Sequence, residues 1–436
     1  MTPQSAFMVV APITQGRIGE LRALLETMTG NPGIALPDNS LVPFYLFDRL
    51  HVARFIILEA HSEPGVEGEG PEPSHWPAKL AFLGDCDGPA DTFIAELAVK
   101  ASPGLGKIFS HCDGFIDSGE NLVAWMQQNN IQPKANYINW LGRTLVQIRE
   151  ENALHQALSK QLRMLVTEQG RDDPRELRQA LLSFVEIEQH TGRLSLTPAI
   201  QTPTVWYLKN LLHKLGVPLL LLLMAPVFLL IAPYVLIRLR LLEGSDPELL
   251  TQADPQKVRE LASLEDHDIT NQFSAFGVVK PQPFRRYLVR FLLWLLDYSA
   301  RHVYKRGFLT RVETIHFARW VLLDNNRRLF FASNYDGSLE SYMDDFINKV
   351  AWGLNLVFSN GVGYPSTRWL IKKGAEQEQK FKNYLRRRQL PTEVWYKAYP
   401  DQTAFDLARN SRIREGVESR QSNDQEIRKW LALIGA

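Results

Sequence analysis

Residues 87–115 read DGPADTFIAELAVKASPGLGKIFSHCDGF, and they align without a gap on residues 336–364, DGSLESYMDDFINKVAWGLNLVFSNGVGY. Identities fall at Asp87/Asp336, Gly88/Gly337, Lys100/Lys349, Gly104/Gly353, Leu105/Leu354, Phe109/Phe358, Ser110/Ser359 and Gly114/Gly363. Upstream, LHVARFIIL (50–58) matches IHFARWVLL (315–323), which pairs His51 with His316, Ala53 with Ala318 and Arg54 with Arg319. Downstream, QIRE (147–150) matches RIRE (412–415). Three matches in one order point to an internal duplication. The spacing differs between copies because the first carries a Gly/Pro/Glu-rich loop at 59–77.

Hydrophobic periodicity predicts the same element order in each copy. In the first, 6–13 is a strand, 17–28 a helix, 42–58 and 79–84 strands, 89–101 a helix and 107–112 a strand. In the second, 272–280 is a strand and 283–304 a helix. Then 313–323 and 328–333 form a hairpin around 324–327, with 339–352 a helix and 356–359 a strand. This is βαββαβ twice, the split βαβ or ferredoxin-like arrangement, in an α+β chain. One such unit leaves a sheet face bare, and two in one chain cover each other by packing sheet to sheet. The expected organisation is a first unit with C-terminal helices (1–155), a helical insert (156–266) and a second unit with C-terminal helices (267–436).

With that element order the chain resembles the dimeric α+β barrel superfamily. Its members include small monooxygenases, chlorite-dismutase-like proteins and dye-decolorizing peroxidases. The resemblance implies two ferredoxin-like repeats pairing into a barrel. GDCDG (84–88) also matches the GxxDG pattern of dye-decolorizing peroxidases, in which the Asp works at the distal haem face. Carried over, Asp87 is that acid and Arg54 its charge-stabilising neighbour, with Asp336 and Arg319 in the second copy. The second copy reads SNYDG (333–337) and lacks the first Gly.

The chain has 436 residues, with 49 Lys+Arg against 48 Asp+Glu. A net charge of +1 removes the electrostatic argument for a nucleic-acid partner. Two cysteines exclude a disulfide framework and a four-thiolate zinc site. A P-loop, a dinucleotide fingerprint after a strand and Ser/His/Asp nucleophile motifs are all missing.

Residues 215–237, LGVPLLLLLMAPVFLLIAPYVLI, carry no charge over a length that can cross a bilayer. Pro218, Pro226 and Pro233 interrupt them, and Lys209, Lys214, Arg238 and Arg240 flank both ends. A single crossing would put the two units on opposite sides of the membrane, where they could not share a barrel. A monotopic or re-entrant anchor, pairing of the units between chains, or a second crossing at 287–298 would each resolve the conflict, and the monotopic anchor is the favoured expectation. The helix expected at 283–306 is basic at Arg285, Arg286, Arg290, Arg301, Lys305 and Arg306, which suits an interfacial helix or one packed on its own sheet.

Strand alternation would put His51 and Ala53 on one face and Val52 and Arg54 on the other, leaving room beside the histidine for a ligand. His51 and His316 are therefore the candidate haem ligands or proton shuttles, and a hydrogen-bonded core pair is the alternative. Asp87-Gly88 and Asp336-Gly337 also suit a structural turn in which Asp caps the following helix and Gly takes a positive φ. Cys86, His111 and Cys112 suit a metal cluster or, as the favoured reading, ordinary reduced thiols and a histidine. Glu340, Asp344 and Asp345 suit a divalent-cation site or, as the favoured reading, a solvated helix face. Two functions follow. One is a membrane-associated, haem-dependent oxidoreductase acting on a hydrophobic or lipid-derived small molecule. The other is a non-enzymatic scaffold that binds lipid or protein. A homo-oligomer is compatible with either.

Overall fold

The computed structural model describes residues 3–59, 76–116, 121–248, 252–304, 309, 312–419 and 423–435. Most of the Gly/Pro/Glu-rich loop, as well as Lys305 and Arg306, lie outside them. The chain is mixed α+β. Its principal strands are β1 (Ser5–Pro12), β2 (Leu50–Leu58), β3 (Lys79–Cys86), β4 (Ala135–Ile138), β5 (Thr270–Val278), β6 (Ile315–Leu323), β7 (Arg328–Asp336) and β8 (Val394–Lys397). The helices that matter below are α1 (Ile18–Glu26), α2 (Ala90–Lys100), α3 (Ser102–Phe109), α4 (Leu145–Arg163), α5 (Thr204–Leu223), α6 (Ala225–Ser245), α7 (Pro283–His302), α8 (Leu339–Phe358) and α9 (Ala404–Glu418).

Each half builds an antiparallel trio in the same order. β3 lies between β1 and β2, and β7 lies between β5 and β6. The fourth strand of each half then leaves for the other sheet. β4 pairs with β6, Ala135 opposite Trp320, while β8 pairs with β2, Val394 opposite Phe55. The halves are thus interlocked by a reciprocal exchange of strands. β8 also runs parallel to a short strand at Ile34–Ala35, so its sheet is mixed.

Residues alternate between two cores, as the pleat requires. Phe7, Val9, Phe55 and Phe82 face α2 and α3. Met8, Val10, Ile56 and Leu83 face Phe276, Val321 and Phe330 of the opposite sheet. Both faces of β2 and β6 are covered, which is why LHVARFIIL and IHFARWVLL read as nearly continuous apolar runs. The β6–β7 hairpin turns through Asp324, Asn325 and Asn326, all at positive φ, a conformation these short polar side chains tolerate.

The expected last strands are helical. Residues 107–112 begin in α3, and 356–359 begin in α8. Leu105, Ile108 and Phe109 are buried at helical spacing, and so short an apolar run does not distinguish the two periods. What remains of strand pairing is one bridge at the end of the first expected strand, Ile13–Cys112, and one just beyond the second, Val279–Gly361. The strand expected from residue 42 starts at Leu50, after a single 3-10 turn at Phe44–Leu46. The QIRE/RIRE match is out of register as well. Thr144 caps α4 in a box with Gln147, and Thr403 caps α9 in a box with Asp406, so Gln147 corresponds to Asp406 rather than Arg412.

The apolar insert forms α5 and α6, joined at Met224. Pro218 and Pro233 lie within the helices, and Pro226 sits in the first turn of α6, where its missing N–H costs little. α6 is long and apolar enough to cross a membrane, with 11% of that window buried. Both ends of the insert are tied to the same body. Near one end His213 Nδ1 lies 2.8 Å from His302 Nε2 of α7, and the Tyr298 hydroxyl donates to the Lys214 carbonyl. At the other, Glu243 accepts from Thr367 Oγ1 and the Leu370 amide, and Asp246 receives both Lys280 and Arg285. α7 buries Val289 and Leu293, so it is a packed helix of the second half, and its Arg285 is interior rather than at a surface.

Candidate functional site

Both candidate histidines sit on β-bulges. The β2–β3 register slips between Leu50 and Val52, and the β6–β7 register slips between Ile315 and Phe317. A bulge inserts one unpaired residue and re-aims its side chain. Alternation therefore fails at His51. Ala53 joins the helix-side core, whereas the His51 ring lies 5.7 Å from Phe317 of the facing sheet and 5.9 Å from Tyr399. His316 lies 6.2 Å from the same Tyr399 ring.

The two Asp-Gly aspartates meet these histidines. His51 Nε2 is 3.0 Å from Asp87 Oδ1, and His316 Nε2 is 2.7 Å from Asp336 Oδ1. The second oxygen of each carboxylate accepts a helix-terminal amide. Leu145 N donates to Asp87 Oδ2 at 2.8 Å, and Ala404 N to Asp336 Oδ2 at 2.7 Å. Each Asp thus caps a distant helix, α4 or α9, where negative charge complements the helix dipole. The adjacent α2 has Pro89 at its N-cap and takes no side-chain cap, contrary to the sequence expectation. Gly88 and Gly337 do have positive φ, 78° and 82°.

The arginines go elsewhere. Arg54 does not stand beside Asp87. It crosses to the opposite sheet and donates to the Phe273 and Ser333 carbonyls, Ser274 Oγ and Asn334 Oδ1, with its guanidinium 4.9 Å from the Trp395 ring. Arg319 makes the reciprocal crossing to the Phe7 and Gly84 carbonyls and Asp85. The pattern departs from symmetry where Asp85 corresponds to the neutral Asn334, and where Met8 in place of Ser274 offers no hydroxyl. Two buried cations thus share one carboxylate. Burial and then the like charge of Arg319 push Arg54 down to about 9, so it stays charged at neutral pH. Burial pushes Asp85 up from its ordinary value, against the pull of Arg319.

Between the histidines, Gln4, Asn139, Trp140, Arg143 and Tyr399 line a cavity of about 10 Å³, room for roughly one water. Among the described residues Asn139 Oδ1 and Trp140 Nε1 have no hydrogen-bond partner, and the Tyr399 hydroxyl is 3.4 Å from His51 Nδ1. A ligand the size of haem occupies hundreds of Å³. The residues as placed do not hold a haem, and no step is derived through one. The arrangement can hold protons and order one water. It also fastens α4, α9 and both sheets together.

Tyr399, Trp140, Asp85 and the caps Thr144 and Thr403 were not singled out from sequence. Only the caps carried a local signal, Thr-x-x-Gln and Thr-x-x-Asp. Cys86 and Cys112 are buried separate thiols, and among the described residues no three His, Cys, Asp or Glu side chains come together as a metal site. Glu340 and Asp344 pair with Lys382, and Asp345 pairs with Lys349.

Beside the cavity, burial pushes Glu151 of α4 up to about 7, although Arg143 at 3.0 Å and Arg414 at 3.8 Å pull the other way. The folded state therefore holds a proton that the unfolded chain releases near 4.5. Glu151 favours folding at acid pH, and this is lost as pH rises through about 7. Glu151→Gln is expected to flatten that dependence and to gain about 1–3 kcal/mol above pH 7. Urea titrations at several pH values measure it.

No protein-family model matches the chain, and no curated protein matches it significantly. The function therefore has to be argued from the geometry.

Proposed function

We propose that this protein is a membrane-attached, non-catalytic scaffold, built from two ferredoxin-like units clasped into one α+β barrel and held on one side of a bilayer by α5–α6. The observation that carries this is the outward surface of those helices. Leu222, Leu229 and Leu230 are 70%, 75% and 81% exposed, among many other uncovered aliphatic side chains. A soluble monomer rarely leaves so large an apolar patch bare. Both ends of the segment dock on one body and the halves exchange strands, which supports a monotopic anchor over a single crossing that separates the halves.

The polar centre supports the scaffold reading over the oxidoreductase. Both oxygens of Asp87 and Asp336 and the reach of Arg54 and Arg319 are spent on internal bonds. Aliphatic and aromatic side chains fill the space between the sheets. The test is fractionation of the expressed full chain. It is expected to stay with membranes through an alkaline carbonate wash, to need detergent for release, and to show no Soret band once purified. Recovery in the detergent-free supernatant, or a Soret band, overturns the proposal.

A further inference from the structure

The membrane-facing surface also has a chemical preference. From Thr204 to Leu242 the chain contains no acidic residue. Its basic residues are Lys209, Lys214, Arg238 and Arg240, and Arg240 is tied to Glu243. Lys209, Lys214, Arg238 and Arg290 of α7 are exposed and make no ion pair among the described residues. Their positions around the helices follow from about 100° per residue. On α5, His213 and the buried Val217 face the body. The stripe Leu208, Leu215, Leu219 and Leu222 lies opposite. Lys209 and Lys214 fall on its two flanks, each about 110° from its centre. On α6, Leu239 and Leu242 face the body, Leu230 and Ile237 face away, and Arg238 lies on the flank between them.

An apolar stripe bordered by cations on both sides is the cross-section of a helix lying in the plane of a bilayer. The aliphatic side chains enter the acyl region, and the long basic side chains reach up to the headgroups. Exposed Tyr207, Tyr234 and Tyr287 add the amphipathic rings favoured at that depth. A second copy of this chain is a poor occupant, since it would bring like charges together.

We infer that α5–α6, with Arg290 of α7, forms an in-plane platform that recognises the phosphate groups of anionic phospholipids. This rests on the membrane attachment proposed above and adds the lipid class. The experiment is flotation of the purified full chain, after detergent removal, with vesicles of phosphatidylcholine alone or mixed with phosphatidylglycerol. Partitioning into the mixed vesicles is expected to be stronger by on the order of 600-fold at low salt, about fivefold for each of the four cations, and to weaken as salt is added. The fourfold variant Lys209→Gln, Lys214→Gln, Arg238→Gln, Arg290→Gln should lose that margin while keeping its partitioning into phosphatidylcholine. Equal partitioning into the two vesicle types, or a variant that keeps the margin, overturns the lipid preference and leaves the attachment standing. Failure to float with either overturns both. Inorganic phosphate should weaken binding no more than sodium chloride of equal ionic strength does; if it weakens it further, a free-phosphate site replaces the lipid one.

Discussion

Arg319→Met is expected to destabilise the fold by about 3–5 kcal/mol, the usual cost of stranding a buried charge. The lost guanidinium leaves the Asp85 carboxylate at 1% exposure without its partner and frees the Phe7 and Gly84 carbonyls. Arg54→Met should cost less, roughly 1–3 kcal/mol, because its counterpart is the neutral Asn334 and its removal relieves repulsion with Arg319. The double variant Arg319→Met, Asp85→Asn removes the stranded carboxylate and should recover more than half of the loss. Asp85 also gives a pH signature. Its folded value is raised, so the folded state binds the extra proton, and acidification towards the unfolded value of 3.8 favours folding at this site. Losing Arg319 raises it further, so Arg319→Met should regain stability relative to the parent as pH falls from 7 towards 4. Denaturant titrations of the four proteins, followed by tryptophan fluorescence, measure all of this. Equal costs for the two arginines would refute the assigned asymmetry.

The double variant Leu222→Glu, Leu230→Glu should move the protein from the membrane to the soluble fraction without unfolding it. Both side chains are exposed in the folded chain, so the fold loses little. The bilayer loses two aliphatic side chains, each worth about 1.5–3 kcal/mol, and must accommodate two carboxylates. Together these shift partitioning by more than about 10²-fold. Ile187→Glu, at a side chain 57% exposed on a helix outside α5–α6, is the control and should leave the distribution unchanged. Circular dichroism checks the fold in each case. A double variant still held by membranes would mean that another surface makes the attachment.

The duplication, the α+β class, the positions of β2, β3, β6 and β7, and the apolar helical segment all follow from local patterns in the chain. Each rests on side chains a few positions apart, such as the apolar stretch 6–13 or the uncharged run 215–237, which read the same in any tertiary setting. The positive φ at Gly88 and Gly337 belongs here too, since a strand-to-helix turn demands it locally.

What the chain alone left open depended on partners far away in sequence. His51 was placed beside Ala53 because alternation is a local rule, and a slip of one residue against β3 cancels it. Arg54 stood near Asp87 on paper. Its acceptors at Phe273, Ser274, Ser333 and Asn334 lie more than 200 positions on, and only the packing of two sheets brings them within reach. The exchange of β4 and β8 is of the same kind. Four-residue strands carry too little pattern to name their neighbours, so edge geometry selected them.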